Sequence, residues 1–119
     1  MSKHGIKEIL DKTNEISLTV RGRKSGQDIS RPVWFVVEGN SLYFLPVQGS
    51  DTNWYRNAIE YPAIKISVEG QELSGKAKMI SDEEKVKEIV EKFKSKYGSS
   101  NMSKYYTKLD VTVEFSLKM

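Results

Sequence analysis

The chain is predicted to be mainly β: a β-barrel with helices, built from six antiparallel strands as a closed or split barrel in the order α-β-β-β-α-β-β-α-β. Three observations carry this. Apolar and polar residues alternate over short stretches, most clearly Leu109, Val111, Val113, Phe115 and Leu117 against Asp110, Thr112, Glu114, Ser116 and Lys118. Turn signals such as Gly39-Asn40 and Gly70-Gln71 follow one another closely between these stretches. Closure removes the unpaired edges that six such strands would otherwise present. At 119 residues there is room for one domain, residues 1–119, and one core.

Residues 3–14 carry Ile6, Ile9 and Leu10 at helical spacing, which predicts a short N-terminal helix. Ile16, Leu18 and Val20 alternate with Ser17, Thr19 and Arg21, giving a first strand that runs into the polar loop Gly22 to Asp28. A second strand is expected over about 31–38, through Val33-Trp34-Phe35-Val36-Val37, and a third at Leu42-Tyr43-Phe44-Leu45, ended by Pro46. Residues 51–60 read as a helix capped by Ser50 or Asp51 and stopped by Tyr61-Pro62. Ala63 to Val68 and Leu73 to Ile80 are the fourth and fifth strands. Ser81-Asp82-Glu83-Glu84 has the form of a capping box. The helix it opens places Val86, Ile89, Val90, Phe93 and Tyr97 on one face and stops at Gly98. Residues 99–107 are expected as a loop or one more helical turn, before the final strand.

The absence of cysteine excludes disulfides, thiolate nucleophiles and cysteine-ligated metals. The single histidine, His4, stands near a terminus, so neither a histidine triad nor a metal site is expected. A formal net charge of +3 is too weak to imply a nucleic-acid partner by itself, and none is expected. No apolar run has the length of a membrane span, and the N-terminus lacks a signal-peptide core, so a cytoplasmic protein is expected.

All four arginines, Arg21, Arg23, Arg31 and Arg56, lie between positions 21 and 56. Guanidinium suits bidentate contact with phosphate or carboxylate. The loop Gly22 to Gly26 adds backbone freedom, two cations and a hydroxyl. By itself it reads equally as a phosphate cradle or as a solvated hairpin loop. Trp34 and Phe35 cannot share a strand face, so one packs inward and the other is free for a pocket. Tyr97 completes the apolar helix face, whereas the adjacent Tyr105 and Tyr106 suit a pocket wall, a lid, a dimer contact or a barrel plug.

Taken together, Gly22-Arg23-Lys24-Ser25-Gly26-Gln27, Arg31-Pro32-Val33-Trp34-Phe35, Trp54-Tyr55-Arg56-Asn57 and Tyr61-Pro62 resemble the deazaflavin-dependent nitroreductase family of the pyridoxamine-phosphate-oxidase-like split-barrel superfamily. The resemblance spans residues 16 to 117. It implies an oxidoreductase that binds coenzyme F-420, or alternatively FMN, and passes hydride to a small organic acceptor. It implies phosphate contacts from Arg23, Lys24 and Ser25, and cofactor contacts from Gly26, Arg31, Pro32, Val33, Trp34, Gln48, Gly49, Ser50, Trp54 and Asn57. Tyr97, Tyr105 and Tyr106 are the implied substrate contacts, no catalytic residue or metal is implied, and a homodimer is expected. The chain departs from the family where Val47 to Asp51 is short and lacks a Gly-Gly pair, and where Ser100 and Ser103 replace tyrosines. A cofactor-binding module without turnover remains the alternative from another class.

Overall fold

The computed structural model describes residues 9, 10 and 12–117. The strands are β1 (Ile16–Arg21), β2 (Asp28–Val33), β3 (Val36–Glu38), β4 (Ser41–Phe44), β5 (Ala63–Val68), β6 (Gln71–Ile80) and β7 (Thr112–Ser116). The helices are α1 (Asn53–Glu60), α2 (Glu83–Tyr97) and α3 (Ser99–Tyr105), with a 3-10 turn at Gly49–Asp51. All strand pairs are antiparallel, and the sheet order is β2-β1-β5-β6-β7-β4-β3.

The sheet curls because β6 serves two neighbours. Its first half, Gln71 to Lys76, pairs with β5, and its second half, Ala77 to Ile80, pairs with β7. Gly75 sits at this bend, where a Cβ would come within 2.9 Å of the Phe115 ring. The missing side chain lets the ring cross the strand. The alternation read from the sequence decides what lies inside the curl. Ile16, Leu18 and Val20 of β1, Ile64, Ile66 and Val68 of β5, and Val113 and Phe115 of β7 form one core with Phe35, Leu42 and Phe44. β4 is buried on both faces: Leu42 and Phe44 point into this core, and Tyr43 and Leu45 into a second one under α2 and α3. The second core contains Val86, Ile89, Val90 and Phe93, the helix face predicted by their spacing.

The mainly β class stands, with seven strands in place of six. The expected strand over 31–38 is two strands, β2 and β3, broken at Trp34-Phe35 and lying at opposite ends of the sheet order. The periodicity does not show the break because Val33 to Val37 are all good strand formers. Side chains from the last turn of α2 bond the Phe35 backbone at the break. The Phe35 N–H donates to the Tyr97 hydroxyl at 3.1 Å, and the Phe35 carbonyl accepts from Lys96 Nζ at 2.9 Å. The Tyr97 hydroxyl also stands 2.8 Å from the Asn14 carbonyl and 3.0 Å from that of Phe35, either of which can accept its proton. Buried backbone groups need such partners.

Smaller boundaries also move. β2 begins at Asp28 rather than 31. The helix expected from 51 starts at Asn53 with Thr52 as N-cap, after the 3-10 turn. The capping box is displaced by one residue, since Asp82 rather than Ser81 accepts the Lys85 N–H, at 3.0 Å. Ser99–Tyr105 form α3, the helical one of the two alternatives expected for 99–107, and β7 is shorter than the alternating run around it. The predicted helix at 3–14 falls mostly outside the described residues; within them, Ile9 and Leu10 are helical.

Candidate functional site

A cavity of about 420 Å³ opens where the β1–β2 ladder ends. It is lined by Arg31, Pro32 and Val33 from β2, Trp34 from the strand break, Trp54 from α1, Tyr105 and Tyr106 at the end of α3, and Glu15, Leu45 and Val47. Seven of the sequence-predicted site residues therefore meet in one place: Arg31, Pro32, Val33, Trp34, Trp54, Tyr105 and Tyr106. Glu15, Leu45 and Val47 were missed. Leu45 reads as a strand residue and Val47 as a loop residue, and nothing in the local pattern marks Glu15.

Aromatic contacts build the walls. Trp34 is stacked on Tyr97 with ring centroids 4.2 Å apart and planes 6° from parallel. Tyr105 meets Trp34 edge-on at 5.6 Å, and Tyr106 is tilted at 6.0 Å. Trp54 is buried edge-on against Phe44 at 6.4 Å. Such pairs add to area burial and hold ring planes in place. The strand break is what turns Phe35 into the core, fully buried, and leaves Trp34 for the cavity. Tyr97 does not line the cavity; it backs Trp34. Burial pushes its hydroxyl up to about 12; the Phe35 backbone acts in the other direction, and the negative charge of Glu15 adds to the rise. Burial also raises Tyr106 well above the ordinary tyrosine value. Both hydroxyls stay protonated at neutral pH.

The loop Gly22 to Gln27 stands apart from this cavity. Val33 pairs with Ile16 at one end of the β1–β2 ladder, and Asp28 pairs with Arg21 at the other. Five residue steps of about 3.4 Å, roughly 17 Å, separate the base of the loop from the Val33 end of the ladder. Arg31 lies between, opposite Leu18, and Ile29 and Val33 share its strand face. Arg23 is tied to α1: its N–H and its guanidinium donate to Asn57 Oδ1 at 3.2 and 2.7 Å, and the guanidinium reaches the Asn53 carbonyl at 3.4 Å. Asn57 is buried and serves as this anchor.

Within the loop, the Gly22 and Gly26 N–H groups are bonded to the carbonyls of Gln27 and Gly22, and the Gln27 N–H to Ser25 Oγ. Among the described residues the N–H groups of Lys24 and Ser25 and the Lys24 ammonium have no partner, and they are what the loop offers an anion. Among the described residues no hydrogen bond or ion pair involves the Arg31 side chain.

Gln48, Gly49 and Ser50 lie beside the cavity without lining it. Gly49 has φ of 56° and packs so closely on Asp110 and Lys108 that a Cβ would strike both. Ser50 donates its N–H and hydroxyl to the Asp110 carboxylate at 2.9 and 2.7 Å. The Gln48 N–H donates to Thr52 Oγ1 at 2.8 Å. The donors before α1 are thus filled from within the chain. Burial opposes ionisation of Asp110, but the bonds from Ser50 and the nearby Lys108 outweigh it and keep its carboxyl below the usual value. Asp51 is held low by Lys108 first, and also by Arg56. Together with the Thr107 N–H to Val47 carbonyl bond of 2.8 Å, these contacts pin the Val47 turn to the segment after Tyr106.

No group of three or more metal-ligating side chains occurs among the described residues, and none of their helices is long and apolar enough to cross a membrane.

Over residues 6–114 the chain matches the model of a family described as an uncharacterized protein conserved in bacteria (DUF2255). No curated protein matches the sequence. The fold is shared with solved structures of low identity. A conserved hypothetical protein from Mycobacterium tuberculosis is 15% identical, with a TM-score of 0.79 over 100% of this chain and 82% of that one. An F420-H2 dependent reductase (FDR-A) is 19% identical, with a TM-score of 0.65 over 85% and 92%. A putative pyridoxamine 5'-phosphate oxidase from Listeria innocua is 17% identical, with a TM-score of 0.71 over 94% and 90%.

Proposed function

We propose that this chain, which belongs to the DUF2255 family, holds a flavin-type cofactor in the aromatic cavity and acts as an oxidoreductase on a small organic acceptor. The cofactor is coenzyme F-420, with FMN as the alternative. The observation that carries the reading is the convergence of Arg31, Pro32, Val33, Trp34, Trp54, Tyr105 and Tyr106 on one cavity of about 420 Å³. That size lies within the range of small-molecule sites, and mostly apolar walls with a few polar groups are their usual chemistry.

The residues present fit such a group. Two indoles and two phenols offer faces and edges to a planar ring. Arg31 supplies an unpaired cation midway along the hairpin. Lys24, Ser25 and the partly committed Arg23, whose guanidinium reaches the Asn53 carbonyl next to cavity-lining Trp54, supply phosphate donors. When bound, such a cofactor supplies hydride chemistry, with no need for a protein nucleophile. The chain's own part is to orient the ring, exclude water with Trp34 and Trp54, and present tyrosine hydroxyls. The acceptor gains the hydride and a proton, the latter from Tyr105, Tyr106 or solvent.

A second copy packed on β2 would complete the site from outside. Every β2 residue except Val33 is exposed, and β2 is an edge of the sheet. An uncovered edge strand is a ready pairing surface.

Titration of the purified protein with coenzyme F-420 and with FMN, followed by absorbance and native mass spectrometry, tests the reading. Binding of at least one at micromolar affinity or better is expected. Binding of neither overturns it. Tight binding with no reduction of any acceptor leaves a cofactor-holding module instead.

A further inference from the structure

Two stretches of chain run side by side at the aromatic cavity. One is the turn from Pro46 to Thr52, which carries the cavity residue Val47. The other is the strap from Thr107 to Asp110, which follows the cavity residue Tyr106. Both stretches are packed at their ends. Leu45 and Tyr106 belong to the core under α2 and α3, and Trp54 and Val111 to the main core. Between these packed ends Val47, Gln48, Asp51 and Thr107 to Asp110 are all exposed. Packing therefore fixes the ends of the turn and of the strap, and something else must fix their middles.

Polar contacts do so, at a constant offset along the two stretches. The Thr107 N–H and hydroxyl both donate to the Val47 carbonyl, at 2.8 and 3.2 Å. Gln48 forms a parallel bridge with Lys108. Asp110 accepts twice from Ser50, from its N–H at 2.9 Å and its hydroxyl at 2.7 Å. The Lys108 ammonium adds a 3.2 Å contact to Asp51, but with side chains 46% and 57% exposed that pair is screened by water. The Asp110 carboxylate differs in holding a backbone donor of the turn, through charge-assisted bonds. Gly49 shows how close the fit is. Its φ is 56°, and a Cβ there would strike both Asp110 and Lys108.

We propose that Asp110 is a positioning residue for the aromatic cavity. It does not line the cavity and touches no ligand. Its two bonds to Ser50 clasp the turn to the strap, and the clasp keeps Val47 on the cavity wall and water away from Trp34 and Trp54. Without it the turn swings out between its packed ends, and the cavity opens on that side. The ligand that this wall encloses rests on the flavin-type reading above; the clasp itself rests on the geometry alone.

The two tryptophans of the chain, Trp34 and Trp54, both line the cavity, so tryptophan fluorescence reports on it without any ligand. The test measures acrylamide quenching of that fluorescence, and lumiflavin binding, in wild type, Asp110→Ala and Asp110→Asn. A fourth chain combines Asp110→Ala with Gln48→Cys and Lys108→Cys. Bridge partners lie about 4.8 Å apart, a spacing that a disulfide spans. The chain has no other cysteine, so oxidation can close only this link. Asp110→Ala should keep its far-ultraviolet circular dichroism, raise quenching about twofold and weaken lumiflavin about fivefold. Asp110→Asn, whose amide can accept from the Ser50 N–H and donate to its hydroxyl, should match wild type in both. The fourth chain should behave as Asp110→Ala when reduced and return toward wild type when oxidised. Wild-type quenching in Asp110→Ala, or no recovery on oxidation, overturns the positioning role and leaves the flavin-type reading standing. If quenching follows the expected pattern but wild type binds neither lumiflavin nor FMN nor coenzyme F-420, the clasp stands and the flavin-type reading falls.

Discussion

The hairpin loop at Gly22 to Gln27 and the aromatic cavity at the other end of the same ladder are built on opposite plans. The loop is polar and largely exposed, and it is held by hydrogen bonds: three within itself and a clamp from Arg23 to Asn57. The cavity is held by packing. Trp34 lies on Tyr97, Trp54 on Phe44, and Tyr106 between Trp34 and Phe93. A site that orients a flat ring needs fixed planes, which close-packed aromatics give. A site that grips a phosphate needs donors that swing and a surface open to water. The difference also predicts where damage spreads. Truncation at the cavity end should cost stability and binding together, and truncation at the loop should separate them.

The largest effect is expected at Trp54. It is buried with 7% exposure. Trp54→Ala should destabilise the chain by about 3–5 kcal/mol and abolish ring binding. Urea denaturation and lumiflavin titration measure the two. A loss below about 1 kcal/mol would show that the cavity is not part of the packed core.

Next is Tyr97→Phe, which keeps the stack on Trp34 and deletes the hydroxyl that serves Phe35. The unpaired Phe35 N–H should cost about 1–3 kcal/mol. The near-ultraviolet circular dichroism of Trp34 should stay nearly unchanged, whereas Tyr97→Leu should lose it. Should Tyr97→Phe cost nothing, the strand break is held elsewhere.

At the loop, Lys24→Ala should leave the denaturation midpoint within error and lower FMN affinity several-fold, with riboflavin unaffected. Riboflavin lacks the phosphate, so an equal loss for both ligands would remove the loop from the phosphate site. Asn57→Ala sharpens the point from the other side. It should loosen the loop by about 1 kcal/mol, read in the same denaturation experiment.

The smallest effect concerns acid. The Asp110 carboxyl lies below its ordinary 3.8 in the folded chain. Its stabilising contribution is therefore full above that value and lost as pH falls through the depressed one. Its side chain is 38% exposed, so solvent screening limits the contribution to below about 1 kcal/mol. Asp110→Asn should flatten the acid limb of the stability profile below about pH 4. An unchanged limb would assign the acid loss to other carboxylates.

The residues most legible in the sequence were those whose role is local. Alternation located β1, β5 and the run around β7, and helical spacing found the buried face of α2. The Tyr105-Tyr106 pair was singled out as adjacent aromatics in a polar segment, and Trp34 and Trp54 through the family resemblance, and all four share the cavity. Glu15, Leu45 and Val47 were not legible, because each joins the cavity only through the way distant segments fold together. Tyr97 was read as a substrate contact, and it stands one layer behind, where its hydroxyl bonds the Phe35 backbone. Ser50 was read as a helix cap or a cofactor contact, and Asp110, 60 positions away, occupies it.

Sequence alone determined the mainly β class and the faces of the strands, since each follows from a period of two or 3.6 along the chain. Tertiary structure decided where the second strand breaks and which of Trp34 and Phe35 turns inward. Those outcomes depend on Tyr97 and Lys96 supplying the hydrogen bonds that a broken ladder leaves open. Partners about 60 residues away leave no mark in the local pattern.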